Sequence, residues 1–197
     1  WRVTKSDWDH HKRYDRYLSA YDLMIEQTDV SYAPWNIIES TDRRYATVKI
    51  LSITADLIER KIKEMKEGRA AAVSAASAAD DPAFSVTDEL RTSVLSGTDL
   101  SKTLSAKAYR KKLGELQDEM EKLHSELYRK RIPVVIALEG WDAGGKGGAI
   151  KRLTGKMDPR GYEVVPTASP NDIEKKHHYL WRFWQKMPKD GHVAIFD

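Results

Sequence analysis

The stretch PVVIALEGWDAGGKGGAIKRL, residues 133–153, constrains the chain more than any other part of it. An unbroken apolar run leads into a glycine-rich turn, and a basic segment of helical pattern leads out. An apolar run without alternation suits a strand covered on both faces, as in a parallel sheet. Gly140, Gly145 and Lys146 meet the first seven positions of the pattern G-x-x-x-x-G-K-[ST], between a predicted strand and a predicted helix, which is the context that pattern requires. Glycines let the backbone take positive φ and bring its N–H groups close to an anion. The helix N-terminus adds about half a positive charge, and Lys146 adds a full one. The expected guest is a phosphate held by Gly140, Trp141, Ala143, Gly144, Gly145, Lys146 and Gly147. The other reading is a plain strand-to-helix turn.

Two residues depart from a simple phosphate cradle. Gly147 stands where a hydroxyl ordinarily ligates Mg²⁺, and Asp142 lies inside the loop. A carboxylate facing phosphate directly in a low-dielectric site is repelled strongly, so it needs a cation between them. Mg²⁺ takes carboxylates together with phosphate oxygens and water. Asp142 is therefore expected to replace the missing hydroxyl as a metal ligand, or to orient the phosphate through the metal; its other reading is a cap for the helix beginning near Gly145. Asp197, ending the apolar stretch HVAIFD, is the expected second ligand, at the Walker-B place of phosphate-loop proteins. A strand-end turn residue is the alternative there.

Around this centre the chain divides into three parts. Residues 68–87, GRAAAVSAASAADDPAFSVT, are rich in Ala and Ser, show no apolar period, and read as a linker. Before it, Tyr14, Tyr17, Leu18, Tyr21 and Ile25 mark one helix capped by Ser6 or Asp7; Tyr45, Val48, Leu51, Ala55, Ile58 and Ile62 mark another. These two helices have no strand of their own, so their sheet lies outside the chain or in its last part. After the linker, Asp99 or Ser101 precedes an amphipathic helix over roughly 105–130, with Tyr109, Leu113, Leu116, Met120, Leu123 and Leu127 on one face. Strands follow within RIPVVIALEG, residues 131–140, and at 162–166 and 192–197, with a helix over 172–187 ending before Pro188. Strand, helix, strand, helix, strand is the order of a right-handed α/β layer that binds ligands at the carboxyl ends of its strands.

Composition narrows the classes. The 197 residues are 41% hydrophobic and 32% charged, as in a globular protein, and could form one domain or parts of two. The net charge of +3 is too mild for a nucleic-acid binder, though it permits a polyanionic partner. No run approaches the roughly 18 apolar residues of a membrane span. With no cysteine there is no disulfide or thiolate metal site, which fits a cytoplasmic location.

EGWDAGGKGGAIKRL together with PNDIEKKHHYLWRFWQKMPKDGHVAIFD resembles the polyphosphate kinase 2 family, whose phosphate loop reads G-x-D-x-x-G-K and whose Walker-B strand follows a YLWRFW helix. The resemblance runs from about Asp99 to Asp197. WRVTKSDWDHHKRYDRY and YAPWNIIESTDRRYA, within residues 1–66, resemble the C-terminal helical part of the same family. The resemblance implies a P-loop kinase-like α/β fold, a three-layer parallel sheet with flanking helices, preceded by a helical segment. It implies residues 1–67 as the end of one copy, 68–87 as a linker and 88–197 as the start of a second, as in tandem-domain members, and hence a fragment of a longer protein. The implied reaction moves a terminal phosphoryl from inorganic polyphosphate to AMP, giving ADP, with Mg²⁺. Lys146 and the loop amides then hold phosphates, Asp142 and Asp197 hold Mg²⁺, and Arg160 and Arg182 face the polyphosphate path. Assembly into a homo-oligomer is a further implication.

Blander readings stand beside these. Arg160 is equally a solvated loop residue, and the stem of Arg182 can simply cover a helix surface. Trp181, Phe183 and Trp184 suit a core better than a base-stacking platform. His177 and His178, being adjacent, point to different faces and cannot chelate one ion together, and DWDHH at 7–11 reads as an acidic helix start rather than a metal cluster. Trp35 packs the end of the helical part. Two rival functions are an ordinary ATP-dependent nucleotide kinase, against which Asp142 and Gly147 argue, and a non-catalytic phosphate-sensing scaffold.

Overall fold

The structure is a computed structural model in which residues 5–67, 93–141 and 144–197 are described. The expected linker 68–87, Asp142 and Ala143 fall outside those residues. Two compact units result, one from residues 5–39 with 93–101 and the other from 40–67 with 102–197.

In the first unit the expected single helix is two, α1 (Lys5–Lys12) and α2 (Tyr14–Thr28), because Arg13 leaves helical geometry at φ −109° and ψ 18°. Helix α1 includes Ser6 and Asp7, the residues expected at its start. Among the described residues, none of α2 is buried, and its apolar stripe is at best half-covered. The chain leaving α2 is pinned by Trp35, whose backbone N–H donates to Asp29 Oδ1 at 2.8 Å and whose ring N–H donates to Thr28 Oγ1 at 2.8 Å.

The second unit holds α3 (Arg43–Lys66), α4 (Ala106–Lys130), β1 (Val134–Ala137), α5 (Lys146–Leu153), β2 (Tyr162–Val165), a 3-10 turn (Glu174–Lys176), α6 (Trp181–Trp184) and β3 (Val193–Phe196). All strands are parallel in the order β1-β3-β2, with Ile136 and Val164 both opposite Ile195. The helical period is realised in α3, where Leu51, Ala55, Ile58 and Ile62 are buried, and in α4, where Met120, Leu123 and Leu127 are. These side chains meet Ile150 and Leu153 of α5 and Val193 and Ile195 of β3 in one core. Thus α3, from the N-terminal side of the expected linker, finds its sheet in the last part of the chain. Asp42 starts it, one carboxyl oxygen accepting from Arg44 N–H at 2.7 Å and Tyr45 N–H at 3.3 Å, the other from Leu104 N–H at 3.0 Å. The Leu104 and Arg44 amides hold this carboxyl below the ordinary aspartate range.

Replacing Leu51, fully buried at the centre of α3, by alanine should lower unfolding stability by roughly 2–5 kcal/mol, read from urea denaturation. An unchanged midpoint would contradict the docking of α3 in this core.

Helix α4 is capped by Ser105, whose hydroxyl accepts from Ala108 N–H at 3.3 Å; Asp99 and Ser101 precede it and are bonded to each other in a turn. Three expectations need correction. Strand β1 is an edge strand covered on one face, with Val135 49% exposed; the doubly covered strand is the central β3. The helix expected over 172–187 is reduced to the 3-10 turn and α6. Helices draw most of their stability from a packed face, and among the described residues neither piece buries a side chain. For the same reason Trp181, Phe183 and Trp184 are not core: none is buried, Trp184 is 56% exposed, and Phe183 lies edge-on to Phe196 at 5.8 Å between ring centres.

Candidate functional site

Strand β1 makes its last pairing through Leu138 N–H to Phe196 O at 2.9 Å, and the chain then turns away at the carboxyl end of the sheet. Gly145, at φ 97°, turns the backbone into α5 in a conformation costly for other residues. Gly144 donates its N–H to Trp141 O at 3.1 Å, and a Cβ there would stand 2.9 Å from that same oxygen. The turn is thus narrow enough to demand glycine and opens onto the first turn of α5, whose N–H groups are those a helix leaves unpaired.

Lys146 curls back over this turn. Its Nζ donates to Gly140 O at 2.8 Å, lies 3.5 Å from Trp141 O, and stands 3.9 Å from Asp197 Oδ1. Asp197 is held at the end of β3 by its own backbone, its N–H donating to Val165 O at 3.1 Å and its carbonyl accepting from Thr167 N–H at 2.6 Å. The Lys146 and Asp197 side chains are 27% and 28% exposed. Asp197 Oδ1 itself is buried and, among the described residues, has no hydrogen-bond partner. A buried acceptor without a donor costs free energy unless a cation or water meets it. The carboxylate, from the end of β3, and the ammonium, from the start of α5, therefore face the same mouth at the carboxyl end of the sheet, the usual ligand side of such sheets.

The structure brings Gly140, Trp141, Gly144, Gly145, Lys146, Gly147 and Asp197 into or beside one turn; Asp142 and Ala143 lie outside the described residues. Arg160 and Arg182 each engage a carboxylate of their own segment. Arg160 sits on a surface turn, 89% exposed, donating through Nη2 to Asp158 Oδ2 at 2.7 Å and through Nε to Asp158 Oδ1 at 3.1 Å. Arg182 Nε is 3.5 Å from Glu174 Oε1, and its guanidinium lies 5.5 Å from the centre of the Phe183 ring. Glu174 and Asn171 form a reciprocal cap, Asn171 N–H to Glu174 Oε2 at 2.8 Å and Glu174 N–H to Asn171 Oδ1 at 2.9 Å.

The Arg160 side chain, followed by its backbone N–H, brings the Asp158 carboxyl down from 3.8 to about 2. A carboxyl lowered on folding stabilises the fold fully above its ordinary value, and that contribution is lost as pH falls toward 2. Arg160→Ala should return the Asp158 titration toward 3.8, visible in the carboxyl carbon shift; a value left near 2 would show that the arginine is not the cause.

Sequence reasoning passed over Glu139, whose Oε1 accepts Gly140 N–H at 3.0 Å. The signal in the sequence was an acidic residue directly before the first loop glycine. Reasoning from apolar spacing also missed His124, buried on α4, whose Nδ1 accepts Asp158 N–H at 3.4 Å and so backs the turn that carries Arg160.

A family model described as Polyphosphate kinase 2 matches residues 1–66 and 103–197. The chain is similar over its whole length to the polyphosphate:AMP phosphotransferase of Pseudomonas syringae pv. tomato, at 33% identity over 200 residues, covering 38% of that protein. Half of it, 51%, is similar to the ADP-polyphosphate phosphotransferase 3 of Rhizobium meliloti, at 42% identity over 100 residues and 35% of that protein. Among solved structures, a Pseudomonas aeruginosa chain assigned by its description to polyphosphate kinase 2 matches with a TM-score of 0.52 at 31% identity, over 100% of this chain and 38% of its own. The chain thus spans about two fifths of the length of the whole-chain relatives it matches.

Proposed function

The chain belongs to the polyphosphate kinase 2 family, and on that premise we propose that the complete protein moves a terminal phosphoryl group from inorganic polyphosphate to a nucleotide, converting AMP to ADP. The observation that carries the chemistry is the Lys146 ammonium beside the Asp197 carboxylate at the mouth of a glycine-rich strand-to-helix turn. Similarity across the whole chain to a protein named for polyphosphate and AMP supports the substrate pair.

Phosphoryl transfer asks a protein mainly for alignment and charge compensation, since charge spreads over the oxygens of a loose transition state. In this reading the amides of Gly145, Lys146 and Gly147 hold phosphate oxygens, while Gly144 N–H stays on Trp141 O and shapes the turn. Lys146 leaves the Gly140 carbonyl to neutralise charge on the transferred group. Asp197, with Asp142, would hold a divalent cation, which we take to be Mg²⁺ and which would supply charge compensation for the phosphates. The residues fit such an ion: the buried Asp197 oxygen lacks a hydrogen-bond donor among the described residues. Mg²⁺ needs only one or two protein carboxylates beside phosphate and water. That agrees with the finding that, among the described residues, no three acidic or histidine side chains gather as a protein-only cage. Arg160 and Arg182 would exchange Asp158 and Glu174 for polyphosphate oxygens.

We also read residues 1–67 as the end of one copy, 68–87 as the linker and 88–197 as the start of the next, a division supported by the whole-chain match to a much longer relative. Among the described residues no helix is long and apolar enough to cross a membrane. The cysteine-free sequence supports a cytoplasmic site of action. Offering polyphosphate with AMP, ADP or GDP to the complete protein tests the acceptor: AMP should turn over fastest, and a preference for ADP or GDP would overturn that choice.

A further inference from the structure

We infer that Glu139 is a positioning residue for Lys146: it fixes the first residue of the phosphate loop, whose carbonyl in turn sets where the lysine waits. This role rests on the phosphate-loop reading above. The sheet lets go of the chain at Leu138, whose N–H makes the last bond to β3 at 2.9 Å, so Glu139 is the first residue past the strand pairing. Its carboxylate folds back onto the next amide, accepting Gly140 N–H at 3.0 Å. Gly140 has no side chain to hold it in place, and this bond limits its swing. On its other side, Gly140 O is the nearest acceptor of the Lys146 ammonium, at 2.8 Å, with Trp141 O at 3.5 Å and Asp197 Oδ1 at 3.9 Å. The result is a relay from Glu139 through Gly140 to Lys146 and Asp197.

The consequence is specific. An ammonium has three donors; here one is bonded to Gly140 O at 2.8 Å, while Trp141 O at 3.5 Å and Asp197 Oδ1 at 3.9 Å stand farther off. A phosphate entering the turn replaces some of these contacts without having to find the lysine, because the lysine is already over the mouth. Without the Glu139 bond, Gly140 and its carbonyl lose a fixed direction, and the lysine must be ordered at the moment of binding. A second account is purely electrostatic: a carboxylate next to an anion site repels the anion, so that removing it strengthens binding. The two accounts predict opposite signs. Glutamine separates them further, since it keeps an oxygen acceptor for Gly140 N–H and removes the charge.

The test is calorimetric binding of inorganic tripolyphosphate to the complete protein, comparing wild type with Glu139→Ala, Glu139→Gln, Lys146→Ala and the double variant Glu139→Ala/Lys146→Ala. Glu139→Ala should bind about tenfold more weakly, the scale of one charge-assisted hydrogen bond. Glu139→Gln should stay within about threefold of wild type. In the Lys146→Ala background, the added Glu139→Ala change should cost less than about twofold, because the residue acts through the lysine. A merely structural residue would show the same loss in both backgrounds, and that additivity would overturn the role, as would unchanged or tighter binding in Glu139→Ala. Unchanged binding in Lys146→Ala would overturn the phosphate-loop reading and this role with it, whereas a loss there without one in Glu139→Ala removes the role of Glu139 alone.

Discussion

Lys146→Ala is expected to lower phosphoryl transfer by the complete protein roughly 10²–10³-fold, the scale seen when a single preorganised donor to developing charge is removed. Three observations make the lysine hard to replace. It is the second residue of the Gly145-Lys146 pair that opens α5, so its charge adds to that of a helix N-terminus. It reaches the loop mouth at 2.8 Å from Gly140 O, and it stands 3.9 Å from Asp197, where the ion pair holds it partly out of bulk water. Arginine should not restore the rate, since a planar fork cannot occupy the place of a compact ammonium with three donors. Steady-state kinetics of the purified complete protein read the effect; retention of more than a third of the wild-type rate would remove the lysine from the mechanism.

Asp197→Asn is the second large effect. The substitution keeps shape and removes charge, so it separates a ligand role from a strand-end packing role. In the ligand role transfer falls by roughly 10²-fold or more, and the divalent cation needed for half-maximal activity rises, because one of at most two protein carboxylates is gone. In the packing role the strand end is held by backbone bonds, Asp197 N–H to Val165 O at 3.1 Å and Thr167 N–H to Asp197 O at 2.6 Å, which the substitution leaves intact. Activity would then stay within about threefold. Asp142→Asn belongs to the same experiment and is expected to act in the same direction, on the ground of its place inside the loop sequence and the repulsion it would otherwise suffer from phosphate.

How much of this was legible in the sequence differs by the kind of signal. The helical stripes of α3 and α4 were readable because a period of three and four residues needs no knowledge of the partner. The loop was readable because Gly145 supplies a backbone conformation that few other residues tolerate. Other features depend on who neighbours whom. Whether VVIA is covered on one face or two is decided by strand order, and only pairing puts β1 at the edge and β3 at the centre. Ser105 caps α4 from the position directly before its first residue, a choice among several short polar residues that spacing alone does not make. The helix expected across 172–187 is cut short because neither of its two remaining pieces buries a side chain among the described residues. The carboxylates engaging the two arginines were in view, Asp158 two residues before Arg160 and Glu174 eight before Arg182, but reasoning about an anionic ligand looked past them.

The most direct test of the central claim is production of labelled ADP from AMP by the complete protein with Mg²⁺, run in parallel with polyphosphate and with ATP as the only donor. The account predicts ADP from polyphosphate and little from ATP. ADP formed from ATP alone would make this an ordinary phosphate-loop nucleotide kinase, and no turnover with either donor despite retained phosphate binding would make the loop a sensor; either result contradicts it.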